Sequence, residues 1–119
     1  MVRELAFLVY SVRDVPRATA FYRDIVGLRP GGFANDEWVE FDVGNATFAI
    51  DGAGEAVGML PGQSAGAAFE VDEIRRMRQT LSDAGTDVTE VYEFPPCWMC
   101  FAKDPDGNRF AIHQKKQLS

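Results

Sequence analysis

At 119 residues, 46% of them apolar, the chain suffices for one compact domain or two tightly packed halves and is too apolar for a disordered segment. Twelve Lys and Arg against eighteen Asp and Glu give a formal charge of −6, which disfavours nucleic acid and anionic membranes as partners and favours neutral or cationic small molecules. Nothing approaches the roughly 18 consecutive apolar residues of a membrane span, and the first residues lack the basic start and apolar run of a secretory signal, so a soluble cytoplasmic protein is expected.

In chain order, Leu5 to Val12 is an apolar, β-rich run. Asp14 then caps a helix with Pro16 in its first turn, Val15, Ala18, Phe21 and Ile25 as its buried stripe, and Gly27 as its stop. Alternating segments follow at Glu37 to Val43 and Asn45 to Asp51. Residues 52–65, rich in Gly, Ala and Pro, read as a linker. The same grammar then returns: a strand at Ala67 to Val71, a cap at Asp72, a stripe of Ile74, Met77, Leu81 and Ala84, and a stop at Gly85. Alternating segments follow again at Asp87 to Phe94, Trp98 to Lys103 and Arg109 to His113. Two β-α-β-β-β units are therefore expected, residues 1–51 and 66–119. Each opens its last strand with Gly-Asn, at Gly44-Asn45 and Gly107-Asn108, and Asp104 to Gly107 is a strong turn signal.

Such a unit cannot bury both faces of its sheet alone, so the two must combine. Cys97 and Cys100 lack partners for a four-ligand zinc site in a chain with one histidine, and three residues apart on a strand they face opposite sides. Two reduced thiols are expected, one in the core and one on the other face. Asn45-Ala-Thr47 matches a glycosylation acceptor, which carries little meaning without secretion. No phosphate-binding glycine loop and no spacing for a Ser-His-Asp or Cys-His catalytic set is present.

Three stretches, Val12 to Leu28, Phe69 to Gly85 and Lys103 to Gln114, resemble the vicinal oxygen chelate superfamily. That group includes glyoxalase I, extradiol dioxygenases, fosfomycin-resistance enzymes and bleomycin-resistance proteins. The resemblance implies an α+β fold, with two βαβββ modules forming an open, cup-shaped mixed sheet and helices outside. It also implies a homodimer whose cavities draw on both subunits. In metal-dependent members, His and Glu from the first and last strands of each module hold a divalent cation. Carried over, those positions are Phe7, Ala49, Gly66 and Ala111, none of which can donate a lone pair. No metal and no other cofactor is expected unless ligands have moved.

Period-two alternation from those positions turns Leu5, Val9, Ser11, Thr47, Asp51, Ala68, Glu70, Arg109 and His113 into the cup, with Trp38, Glu40, Phe101, Lys103, Met99 and Cys97 by the repeat. The opposite set, including Phe41, Phe48, Ile50, Phe69, Phe110 and Ile112, is apolar and belongs under the helices. The expected ligand-binding residues are Phe7, Trp38, Glu40, Thr47, Asp51, Met99, Phe101, Arg109 and His113. The leading functional expectation is a small-molecule binder or sequestering protein taking an aromatic or cationic compound by stacking and charge pairing. The alternative is a lyase, isomerase or dioxygenase with relocated ligands, or a metal-free acid–base catalyst using His113 and Glu70. A purely structural role would instead show Phe7 and Trp38 packed together across the cup.

Overall fold

The computed structural model describes residues 1–64 and 66–116. Ala65, the end of the expected linker, and residues 117–119, the end of the second expected unit, lie outside it. Two four-stranded mixed sheets are formed. The first runs β1 (Leu8–Ser11), β4 (Ala46–Asp51), β3 (Trp38–Val43), β2 (Arg29–Ala34), with β1 parallel to β4 and the remaining pairs antiparallel. The second repeats this with β5 (Ala67–Glu70), β8 (Arg109–Lys115), β7 (Cys97–Lys103) and β6 (Tyr92–Phe94). Helix α1 (Val15–Ala20) continues into a π-helical segment, Phe21–Val26, and α2 (Ile74–Asp83) is its counterpart. Among the described residues no closed barrel forms.

The helix-facing sides of both sheets merge into one core. Phe41, Phe48 and Ile50 of the first sheet and Phe69, Phe110 and Ile112 of the second are all buried. Tyr22 binds them together: its ring lies 5.0 Å from Phe48, 6.3 Å from Phe41 and 6.1 Å from Phe110. Phe48 and Phe69 meet edge to face at 5.4 Å across the two units. Each such side chain contributes about 1.5–3 kcal/mol by leaving water, so this shared aromatic core fixes which sheet faces lie inside.

A buried polar clasp fixes their relative placement. Asp104 accepts from the Tyr22 hydroxyl at 2.7 Å, from the backbone N–H groups of Asp106 and Asn108 at 2.9 Å each, and from the Asn108 amide at 2.9 Å. The same amide donates to the Ser11 carbonyl at 2.8 Å, and its oxygen accepts from Gly62 N–H at 2.8 Å. Asp106 accepts from Arg13 N–H at 3.0 Å and Arg17 Nη2 at 3.2 Å. Tyr10 adds a second link, donating to the Arg109 carbonyl and accepting from Ala67 N–H.

Several expectations are corrected. The first strand begins at Leu8 rather than Leu5, with residues 1–7 outside any strand. β2 adds a strand to the first unit that Pro30-Gly31-Gly32 hides; at a sheet edge the missing Pro N–H costs no ladder bond. Tyr22 and Val26 are buried beside Phe21, four and eight residues after Ala18, so the buried stripe is wider than expected. Most of the Asp87 to Val91 stretch is not strand, apart from a bridge from Val88 to Ala102. Asp14 does cap α1, accepting from Arg17 N–H at 3.0 Å. Asp72 does not cap α2; the first residue outside that helix is Glu73, and Gln114 of β8 accepts from Ile74 N–H at 2.8 Å instead. Ser11, expected in the cup, is 1% exposed and crowds Gly54 of the linker, where a Cβ would come within 2.6 Å of its Oγ.

Burial, reinforced by the Asp104 charge, holds the Tyr22 phenol far above its ordinary value of 10.0. Burial also raises Tyr10, against the lowering effect of the Ala67 N–H. The folded protein thus retains protons that the unfolded chain releases, so the stability these groups contribute is complete below about pH 9 and falls above about pH 10. Chemical denaturation across pH 7–11 is expected to show a decline approaching about 1.4 kcal/mol per pH unit for each such tyrosine. Tyr22→Phe removes one proton's share of that slope. Asn108→Ala, which strands Gly62 N–H and the Ser11 carbonyl, is expected to cost about 2–4 kcal/mol with an unchanged m-value in urea.

Candidate functional site

The two sheet faces opposite the core carry the expected cup residues, because paired residues of neighbouring strands share a face. On the first sheet, Trp38 pairs with Asp51, Glu40 with Ala49 and Asp42 with Thr47, and Val9 lies beside Ala49. On the second, Glu70 pairs with His113, Ala68 with Ala111, Phe101 with Ala111, Met99 with His113 and Lys103 with Arg109.

Within the first face the residues organise one another. Phe7 and Trp38 meet edge to face at 5.1 Å, reaching over the intervening strand β4. Ala49, on that strand and that face, has no exposed surface. The Trp38 indole N–H donates to Glu40 Oε2 at 2.9 Å, which fixes the ring. Asp51 is partly engaged, accepting from Ala53 N–H at 2.8 Å. The contact that a purely structural role called for therefore exists, but it lies within one sheet. Phe7 stays 42% exposed, so the pair lines the face without plugging it.

The second face holds a polar pair among apolar walls. Glu70 Oε1 lies 2.6 Å from His113 Nδ1, and Glu70 Oε2 accepts from Lys115 N–H at 2.9 Å. Desolvation, which works upward on the Glu70 carboxyl, is outweighed by the Lys115 N–H and the His113 ring, and the group sits below its usual range. Lys103 reaches Asp87 at 3.9 Å. Tyr92 pairs with Met99 and Phe94 with Cys97, so both rings join Phe101 on this face, with Tyr92 and Phe101 6.3 Å apart. These two aromatics are absent from the sequence-based site, although the alternation of Tyr92-Glu-Phe94 was the signal for them. Asp42 on the first face was missed in the same way.

Phe7, Trp38, Glu40, Thr47 and Asp51 thus form one group, and Glu70, Met99, Phe101, Arg109 and His113 another. Among the described residues no hydrogen bond, ion pair or ring contact joins the two. Cys97 and Cys100 are both free and buried; Cys97 shares the His113 face and Cys100 lies in the core. A separate cleft of about 670 Å³ opens between α1, the end of α2 and the β7–β8 turn, on the helix side of the molecule.

The residues do not fit a divalent cation at the family positions. Phe7 and Ala49 belong to the aromatic cover, Gly66 and Ala111 offer no donor, and among the described residues no three His, Cys, Asp or Glu side chains converge. No helix of the described residues is long and apolar enough to cross a membrane.

The family model described as "Glyoxalase/Bleomycin resistance protein/Dioxygenase superfamily" matches residues 4–112. No curated protein matches the chain. Among solved structures, TnmS3, an antibiotic binding protein from Streptomyces sp. CB03234, is 21% identical over 97% of this chain and 98% of its own, with a TM-score of 0.81. Lactoylglutathione lyase from Agrobacterium tumefaciens is 18% identical over 96% and 95%, with a TM-score of 0.77. The fosfomycin resistance protein FosX from Mesorhizobium loti is 18% identical over 98% and 95%, with a TM-score of 0.73. At these identities the likeness establishes the fold.

Removing the Glu40 acceptor should release Trp38 while leaving the core intact. In a Trp98→Phe background, Glu40→Ala is expected to red-shift Trp38 emission and increase its quenching by acrylamide. The cost in stability should stay within about 1 kcal/mol, since the bond is only partly buried.

Proposed function

The chain belongs to the glyoxalase/bleomycin resistance protein/dioxygenase superfamily, and we propose that within it this protein binds a small aromatic or cationic compound on the open sheet faces, without a metal. The observation that carries the reading is the set of rings left on those faces: Phe7, Tyr92, Phe94 and Phe101 are 42%, 47%, 42% and 36% exposed. Aromatic surface left outside a core that already buries Phe21, Phe41, Phe48, Phe69 and Phe110 marks a place where another molecule sits. Stacking on Trp38 and Phe101, with charge pairing to Glu40 or Asp51, supplies the affinity.

The proposal includes a homodimer. The first face carries three carboxylates, Glu40, Asp42 and Asp51, with Arg29 at its edge; the second carries Lys103, Arg109 and Lys115 with Glu70. Opposite charge favours apposing the first face of one copy to the second face of its partner, which would join the two residue groups into one cavity.

Protein purified without chelator is expected to contain no stoichiometric metal by elemental analysis and to give no binding heat with Zn, Mn, Ni or Fe(II). Light scattering should report twice the monomer mass. Proflavine, a planar aromatic cation, is expected to bind saturably, with affinity reduced about tenfold or more in Trp38→Ala, as loss of a desolvated cation–π contact implies. Stoichiometric metal lost in His113→Ala would overturn the metal-free reading, and proflavine affinity unchanged in Trp38→Ala would overturn the placement of the site.

A further inference from the structure

Glu70 and His113 face each other on the parallel pair β5 and β8, and their side chains meet at 2.6 Å through Nδ1. The carboxylate is held from a second direction by the Lys115 backbone N–H at 2.9 Å. An ionised carboxylate only accepts hydrogen bonds, so Nδ1 carries the hydrogen, and the neutral ring presents its lone pair at Nε2. Nε2 has no hydrogen-bond partner among the described residues, and the imidazole is 30% exposed. Its surroundings on that face are Met99 directly opposite, Ala111 on one side along its strand with Phe101 beside it, and Lys115 on the other side.

A nitrogen base with a fixed tautomer, an open lone pair and apolar neighbours is the arrangement that general-base chemistry needs. We infer that His113 is a general base and Glu70 its positioning residue, so that the site can take a proton from an aromatic ligand whose C–H or O–H is acidified by its own substituents. This rests on the open faces being the ligand site. In the step, the proton passes from the ligand to Nε2 and the bonding electron pair stays on the ligand. The imidazolium formed is stabilised by Glu70, which remains ionised. No oxidant, reductant or second reactant is required. Arg109 and Lys103, further along the same face, give the product anion a positive potential.

The single histidine makes the test unambiguous. Long-range proton–nitrogen correlation spectra of the neutral protein should show the Nδ1–H tautomer of His113, and Glu70→Gln should convert it largely to Nε2–H. The chemical probe is 5-nitrobenzisoxazole, a planar molecule that opens when a base removes its C3 proton as the N–O bond breaks, releasing a nitrophenolate. Its second-order rate constant, read below saturation, should fall about tenfold or more in both His113→Ala and His113→Gln, the lower end of what a positioned base contributes. It should fall by a smaller factor in Glu70→Gln. An Nε2–H tautomer in the wild type overturns the inference, as does a rate unchanged in both His113 variants. If proflavine and the probe still bind in those variants while the rate is unchanged, the binding reading stands and the general-base inference alone fails; if neither binds wild-type protein, the binding reading fails independently of the tautomer.

Discussion

The constraint on which the rest of the molecule depends is the burial of Asp104. A carboxylate taken out of water is costly unless its lone pairs are filled, and Asp104 fills them with a phenol, two backbone N–H groups and an amide. The partners come from both units: Tyr22 from the first helix, and Asn108 from the turn that opens the last strand, itself tied to Ser11 and to Gly62 of the linker. Removing the Tyr22 hydroxyl takes one of the four donors from the buried carboxylate, and removing the Asn108 amide takes another and strands Gly62 N–H and the Ser11 carbonyl. The units therefore dock in one geometry, whereas the aromatic core alone would tolerate sliding. Gly62 belongs to this constraint, because its backbone has φ of +83° and a Cβ there would lie 2.9 Å from the Asp106 carbonyl.

That docking consumes one face of each sheet and leaves the other unpartnered. The helix-facing sides meet through Phe48 and Phe69, so the opposite faces cannot be satisfied by the same contacts. Each face instead settles its polar groups locally, Trp38 on Glu40 and His113 on Glu70. Local pairing of this kind pre-organises a surface, since a ring or an imidazole already held by a neighbour loses little further freedom when a ligand arrives. The clasp behind these faces holds the two sheets that carry them in one placement.

The sequence disclosed the units, the helices and the facing of strands wherever period-two alternation was uninterrupted. Phe41, Phe48, Phe69 and Phe110 were assignable to the core, and Glu70 and His113 to one face, from spacing alone. What stayed hidden depends on geometry that spacing does not encode. Tyr22, four residues after Ala18 and seven after Val15, was on the helical stripe, but nothing in the spacing told that its ring would sit at the centre of the core, 5.0 Å from Phe48. Pro30-Gly31-Gly32 carries no apolar rhythm, and its strand exists because a sheet edge accepts it. Gln114 caps α2 from a distant strand, displacing the local candidate Asp72. The clasp is the largest omission: Asp104 to Asn108 advertised a turn, but nothing local told that its carboxylates would be buried.

The four positions onto which the resemblance carries the superfamily's metal ligands, Phe7, Ala49, Gly66 and Ala111, differ in their surroundings between the two halves. In the first half the space is taken, with Phe7 packed on Trp38 and Ala49 fully buried, so a longer donor at Ala49 would have to displace the aromatic pair. In the second half a Cβ added at Gly66 would meet no atom within 4 Å, while Ala111, 6% exposed, has Ala68 and Phe101 beside it. The chemistry of a cavity collects where there is room and where a polar group is held without being saturated. Both conditions hold at His113, whose ring is fixed through one nitrogen and free at the other, and neither holds at Trp38, whose only polar atom is already bonded to Glu40. The first half thereby presents a face of fixed rings and carboxylates. The second presents an imidazole held at one nitrogen, and the difference between two copies of one βαβββ plan lies in which side chains surround an alanine.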